Sequence, residues 1–186
     1  GDAAAAEASF RDAVMIDPKS APALIGLGDA RRRLGDIKDA HKHYTAAVTI
    51  APKDATARTR LAEADLRLGH YAEGWVGLEW RHRMLRGRRL DPGLPLWEGG
   101  RLGERRMLIR AEGGLAETLQ FMRLLRALPT DQMVFEVDPA MVELVRYCGW
   151  FRGELLPRGQ ELPEDMDVWA PLLSLPGLME LTGDTI

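Results

Sequence analysis

The stretch Arg106–Leu128, RMLIRAEGGLAETLQFMRLLRAL, decides how the second half of the chain folds. Met107-Leu108-Ile109 is an apolar run of strand length. Glu112-Gly113-Gly114-Leu115-Ala116 is a small-residue loop. Leu119, Met122, Leu125 and Leu128 then recur every three residues, as on the buried face of an amphipathic helix. Strand, glycine loop and helix in that order open a parallel α/β sheet. Such a loop brings backbone N–H groups and a helix N-terminus close to an anion or a sugar hydroxyl. The glycines do not follow the G-x-G-x-x-G spacing of a dinucleotide cradle.

The residues that follow continue the alternation. Met133–Val137 reads as a second strand. Asp138-Pro139 is a helix start, with Asp as N-cap and Pro in the first turn. Met141, Leu144 and Val145 give that helix its expected buried face. Glu154–Leu156 and Met166–Ala170 read as third and fourth strands. Strands and helices at this spacing imply a parallel sheet with right-handed crossovers.

Residues 1–90 carry a different signal, a period of 34 residues. Asp17-Pro18 and Ala51-Pro52 stand one period apart. Gly1, Gly35 and Gly69 keep the step, as do Ala6, Ala40 and Gly74, and Phe10, Tyr44 and Leu78. Small residues at fixed places with a closing Pro resemble the tetratricopeptide repeat over about residues 1–83. The spacing predicts helices over 3–16, 21–34, 37–50, 55–68 and 71–86. Gly28 would let neighbouring helices approach closely, and Ala40, Tyr44 and Ala47 share one helical face. The chain opens at the loop glycine of a repeat, so a trimmed fragment is expected. The third repeat replaces its closing Pro with Glu79-Trp80-Arg81-His82-Arg83, and its last helix is expected to cap the array.

The bulk numbers fit two modules. The 186 residues are 46% hydrophobic and 28% charged, which excludes general disorder. Residues 1–90 hold 16 Lys/Arg and 12 Asp/Glu, net +4; residues 91–186 hold 9 and 16, net −7. The overall charge of −3 argues against a general nucleic-acid binder. Five arginines between Arg81 and Arg89 are read as a solvated cap rather than a nucleic-acid patch. Trp75, Trp80 and Trp97 are expected at a joint between modules. The single cysteine, Cys148, excludes a disulfide framework and is expected to be buried filler. No apolar run reaches membrane-spanning length, since Val168–Leu181 is broken by Pro171 and Pro176. No signal peptide is visible, and a cytoplasmic location is expected.

The fold class expected is therefore α + α/β: a tetratricopeptide-like solenoid over 1–86, a Gly/Pro/Arg-rich linker over 87–105, and a partial Rossmann-like sheet over 106–186. An ordered series of segments sharpens this. Ala72-Glu73-Gly74-Trp75, Glu79-Trp80-Arg81, Pro95-Leu96-Trp97-Glu98-Gly99, AEGGLAETLQF, VFEVDP and LLSLP together resemble a bacterial family in which tetratricopeptide repeats precede a GT-B glycosyltransferase. That family is related to heptosyltransferases and distantly to O-linked N-acetylglucosamine transferases. The resemblance implies that residues 106–186 begin the first of two Rossmann-like domains. It implies no cofactor here, with a nucleotide sugar as donor to the whole enzyme, bound mainly by a second domain.

The family's loop usually reads Glu-Gln-Gly-Leu-Gly-Asp-Thr, where this chain has Glu112-Gly113-Gly114-Leu115-Ala116-Glu117-Thr118. The resemblance makes Glu112, Gly113, Gly114 and Thr118 an acceptor loop, and puts Glu117 where relatives have an Asp proposed as general base. A Glu can take a hydroxyl proton, but its extra methylene moves the oxygens by roughly 1–1.5 Å, a shift that matters to catalytic geometry. Glu117 equally suits a first-turn acid favoured by the helix dipole. A non-catalytic scaffold with a degenerate transferase half is the alternative.

By the same kind of resemblance, Ile25, Asp29, Arg32, Arg33, Thr59, Glu63, Leu66 and Arg67 fall on the peptide groove of the repeats. The arginines would clamp carboxylates or a peptide backbone of a protein partner. His41 and His43 lie two apart on a helix and face different sides, so no metal site is expected there. His70 is expected to be solvated.

Overall fold

The computed structural model describes residues 2–84, 91–182 and Asp184. By its internal contacts the chain divides into two compact units, one of residues 1–87 with 181–186 and one of residues 88–180.

The first unit is a row of antiparallel helices: α1 (Ala3–Ile16), α2 (Ala21–Arg33), α3 (Ile37–Ile50), α4 (Ala55–Leu68) and α5 (Tyr71–Leu78). Each of the first four begins at a residue whose side chain accepts backbone N–H bonds: Asp2, Ser20, Asp36 and Asp54. Gly35 and Gly69, at φ 87° and 86°, turn the chain where a side chain would be strained. Small residues make the interior. Ala40, Tyr44 and Ala64 form one cluster; Ala21, Leu24, Ala47 and Ala57 form another. The Tyr44 ring packs against Gly28, where an added Cβ would stand 2.4 Å from Tyr44 Cε1.

The last helix departs from expectation. Its α-form stops at Leu78 and tightens into a 3₁₀ turn over Glu79–Arg83, while 85 and 86 lie outside the described residues. Arg81 is buried and donates to Leu78 O at 3.1 Å and Glu79 Oε1 at 2.8 Å. The guanidinium groups of Arg58 and Arg83 both approach the Trp80 ring, 4.4 and 4.0 Å from its centre. Trp75 stacks on Tyr71 and donates through Nε1 to Leu181 O at 2.9 Å. Of the arginine-rich run, Arg86, Arg88 and Arg89 lie outside the described residues, as do positions 87–90 of the expected linker.

The second unit holds four parallel strands: β1 (Met107–Arg110), β2 (Met133–Val137), β3 (Glu154–Pro157) and β4 (Val168–Pro171), in the order β3-β2-β1-β4. Residues on alternate sides of the strands feed two apolar layers. Met107, Ile109, Met133, Phe135 and Val137 pack on one face; Leu108, Val134, Leu156 and Trp169 pack on the other. Both faces of the sheet are thus covered, as parallel strands require. The outer side of β4 is also paired: Trp97 N donates to Trp169 O at 2.8 Å, and Trp169 N to Pro95 O at 3.0 Å.

Short helices connect the strands. After β1 come α6 (Leu115–Met122) and a 3₁₀ turn over Arg123–Ala127; after β2, a 3₁₀ turn over Pro139–Met141 and α7 (Val142–Tyr147); after β4, α8 (Leu175–Leu178). The three-residue spacing of Met122, Leu125 and Leu128 reports the 3₁₀ turn rather than a long α-helix, since residues i and i+3 eclipse there. Leu119, expected on the buried face, is exposed because it belongs to the preceding α-turn. Leu144 is likewise exposed, and Val142 takes its place beside Met141 and Val145. Cys148 ends α7 on its solvent side and is exposed, not filler. The fourth strand starts at Val168, two residues later than expected. Trp97 is 2% exposed inside the sheet core, not held for a joint.

Candidate functional site

The switch in strand order falls between β1 and β4. The chain crosses from β1 to β2 on one side, and β4 lies on the other. In open parallel sheets the crevice beyond the strand C-termini at such a point is where ligands bind. The loop over Ala111–Gly114 occupies this place.

Its backbone is fixed from several directions. Ala111 N donates to Glu136 O at 2.9 Å, and Arg158 donates to Ala111 O. Glu112 is buried, and its two carboxylate oxygens lie 3.3 and 3.4 Å from the Leu173 amide, which donates to them from the 3₁₀ turn after β4. The two segments that flank the crevice are therefore tied together. Gly114 is the N-cap of α6 and supplies no capping side chain, so the first-turn amides are left to other partners. Thr118 is buried, its Oγ1 bonded back to Gly114 O at 2.8 Å.

Glu117 is exposed in the first turn of α6 and folds back over both glycines. A Cβ at Gly113 would stand 2.9 Å from Glu117 Cβ, and one at Gly114 would stand 3.0 Å from Glu117 Oε2. Residues 113 and 117 are thus coupled: the space released by glycine at 113 is taken by the side chain of residue 117. Ala116 lies within the helix without positive φ, so no glycine is needed there.

Sequence reasoning missed three charged residues around this crevice. Arg110, at the end of β1, pairs with the buried Glu136 of β2, and Arg158 follows β3. A charged residue ending an otherwise apolar strand was the available signal.

In the repeat unit, the expected groove residues separate into groups. Asp29 is central: its Oδ1 accepts from Tyr44 Oη at 2.8 Å and lies 3.2 Å from Arg60 Nε and 3.7 Å from Arg32 Nε. Arg60 also pairs with Glu63 at 3.0 Å. Burial works against the Arg60 charge, but Glu63 and Asp29 outweigh it and raise its pKa. Burial, then the bond to Asp29, pushes the Tyr44 phenol well above its usual value. Arg60 thus joins Asp29, Arg32 and Glu63 in one network, although it was not among the expected positions. Arg33 and Arg67 are exposed, Thr59 is buried, Ile25 packs on the Ala21–Leu24 cluster, and Leu66 packs under Gly74. His70 is largely exposed yet not simply solvated: with His41 it converges on Asp65.

Comparison with known proteins finds one family model and three solved structures. The tetratricopeptide repeat model matches residues 21–64. No curated protein matches the chain. Among solved structures, the type III secretion translocator chaperone SycD of Yersinia enterocolitica is 22% identical, with a TM-score of 0.43, covering 48% of this chain and 61% of its own. The same chaperone in complex with a peptide of the translocator YopD gives the same identity and TM-score and covers 68% of its own chain. A mutant O-GlcNAc transferase of Thermobaculum terrenum is 15% identical, with a TM-score of 0.43, over 91% of this chain. The chain spans 42% of that transferase's length. No helix among the described residues is long and apolar enough to cross a membrane. The chain combines tetratricopeptide-like helical repeats with a parallel four-stranded sheet, an α + α/β layout.

Proposed function

We propose that the repeats select a protein or peptide acceptor and that the sheet unit forms the acceptor-side half of a nucleotide-sugar-dependent glycosyltransferase of GT-B type. The observation that carries this reading is the glycine loop at the switch point. Glu112 ties it to the 3₁₀ turn after β4, and an uncapped helix N-terminus and the Glu117 carboxylate stand beside it. The motif series over residues 71–186 supplies the reaction class. In this reading Glu117 takes the proton of the incoming acceptor hydroxyl as that oxygen attacks the sugar. Gly113 and Gly114 let the Glu117 side chain lie over the loop, and Glu112 and Thr118 hold it. The donor is a nucleotide sugar bound outside these residues, without a cofactor of this chain. On the repeats, Arg32, Arg33 and Arg67 would engage the acceptor polypeptide, with Ile25, Asp29, Thr59, Glu63 and Leu66 shaping the face. A cytoplasmic setting suits this chemistry.

The second reading is a non-catalytic interaction scaffold with a degenerate transferase half. The coupled changes at Gly113 and Glu117 favour it, since the glycine makes room for a longer acid whatever that acid does.

The test uses the natural polypeptide that carries these residues. Proteins captured by its repeats are offered back to it with radiolabelled nucleotide sugars. The first reading expects label on a captured protein, with transfer falling by about 10²–10⁴-fold in Glu117→Gln, the usual contribution of a general base. Wild-type transfer by Glu117→Gln would remove the base assignment. Failure to bind any nucleotide sugar in calorimetry would favour the scaffold.

A further inference from the structure

The 34-residue period aligns Asp2, Asp36 and His70 at one helix-start position, His41 with Glu7, and Asp65 with Arg31. In the earlier repeat these positions behave ordinarily. Glu7 pairs with Arg31 at 2.9 Å across α1 and α2. Asp2 and Asp36 each cap the helix they precede.

The next repeat changes all three. The pair becomes His41 on α3 and Asp65 on α4, with Nε2 and Oδ1 2.8 Å apart. His70 stands at the start of α5 but makes no side-chain capping bond. Forgoing a cap costs about 1 kcal/mol of helix stability. The ring turns instead to Asp65, placing Nδ1 3.2 Å from the same Oδ1. Gly69 makes this possible. Its left-handed backbone closes a Schellman turn in which His70 N donates to Asp65 O at 2.9 Å. Three ligand-type atoms, from α3, α4 and the α4–α5 turn, thus lie within 4.8 Å of one another.

We propose that His41 Nε2, Asp65 Oδ1 and His70 Nδ1 bind a divalent transition-metal ion, Zn²⁺ above all. Two imidazole nitrogens and a carboxylate oxygen are ligands that Zn²⁺ takes at about 2.0–2.2 Å. Atoms on a tetrahedron of that radius stand roughly 3.3 Å apart, and the two separations to Oδ1 are already close to this. The ion would replace two imidazole bonds that now compete for one oxygen. Asp65 is 8% exposed and anchors the site, while the exposed His70 leaves it open to entering ions and to a water as fourth ligand. The site would clamp α3 to the α4–α5 turn. It is independent of the sheet unit and of any sugar transfer.

The test is calorimetry and Co²⁺ spectroscopy on the metal-stripped chain. We expect one Zn²⁺ per chain, a tetrahedral Co²⁺ spectrum displaced by Zn²⁺, and a Tm that rises with free Zn²⁺. His70→Ala, which touches no core, should weaken binding by more than the roughly 10–100-fold that outer-sphere changes cost. His41→Ala should do the same, and His43→Ala should leave it unchanged. Absence of saturable binding would overturn the proposal. So would affinity and spectrum that survive both the His41 and His70 substitutions in folded protein, as judged by circular dichroism.

Discussion

Gly28→Ala isolates what the small residues of the repeat accomplish. An added Cβ would lie 2.4 Å from Tyr44 Cε1, 2.8 Å from Cδ1 and 3.0 Å from Cζ, against ordinary contacts of about 3.5–4.0 Å. The ring has nowhere to retreat. It is fully buried beside Ala40 and Ala64, and its hydroxyl is held by Asp29 at 2.8 Å. Two effects oppose each other. Alanine gains about 1 kcal/mol of helix propensity over glycine, while overpacking a filled core costs about 1–3 kcal/mol, occasionally more. A clash of this depth with a pinned ring belongs at the upper end, leaving a net loss of about 1–2 kcal/mol. That lowers the Tm of the repeat unit by roughly 5–15 °C, read by far-ultraviolet circular dichroism. Gly26→Ala is the control. Its Cβ would meet Phe10 Cε1 at 2.3 Å, an equal overlap, but Phe10 is 38% exposed and can swing away. Gly26→Ala should be neutral or raise stability by up to about 1 kcal/mol. Equal effects at the two sites, or a stable Gly28→Ala, would refute the claim that the rigidity of the neighbour decides the sign.

Tyr44→Phe removes the bond to Asp29 and should cost about 1.5–3 kcal/mol in urea unfolding, the range for a hydrogen bond to a charged acceptor. Because burial and Asp29 raise the Tyr44 phenol in the folded state, its contribution is whole below the unfolded value of about 10 and is lost as pH rises beyond it. Alkaline titration should therefore destabilise the wild type more steeply than Tyr44→Phe. In the sheet unit, Leu125 has no exposed surface, so Leu125→Ala should cost about 2–5 kcal/mol. Leu119→Ala, on the exposed side of the same segment, should change stability by under about 0.5 kcal/mol.

The helix layout was readable because alanines, glycines and turn prolines repeat at fixed steps, and each step has one packing meaning. Tyr44 against Gly28 is the clearest instance. Boundaries inside the sheet unit were less readable. A spacing of three reads as α-helical in sequence but marks a 3₁₀ turn, and Leu144 and Leu119 are exposed, since apolar type alone does not fix a helix face. The glycine loop was legible as strand, turn and helix, but its link to Leu173 joins residues far apart in sequence. The coupling of Gly113 to Glu117 needed coordinates. The meeting of His41, Asp65 and His70 was half legible. Their 34-residue partners mark all three as substitutions in a repeated pattern, yet only the left-handed turn at Gly69 shows that they meet.

The pairing of Pro95–Trp97 along β4 has a consequence for how copies of this chain meet. A strand edge with unpaired amides is a template for another chain, and proteins guard such edges to avoid stacking into aggregates. Here one margin of the sheet is already occupied by the chain's own residues. Among the described residues β3 pairs with β2 alone, so intermolecular strand addition is directed there. That margin is four residues long, starts with the acid Glu154 and ends with Pro157, which has no N–H to offer. Closure by a neighbouring segment guards one side of the sheet, and brevity, charge and a missing donor guard the other.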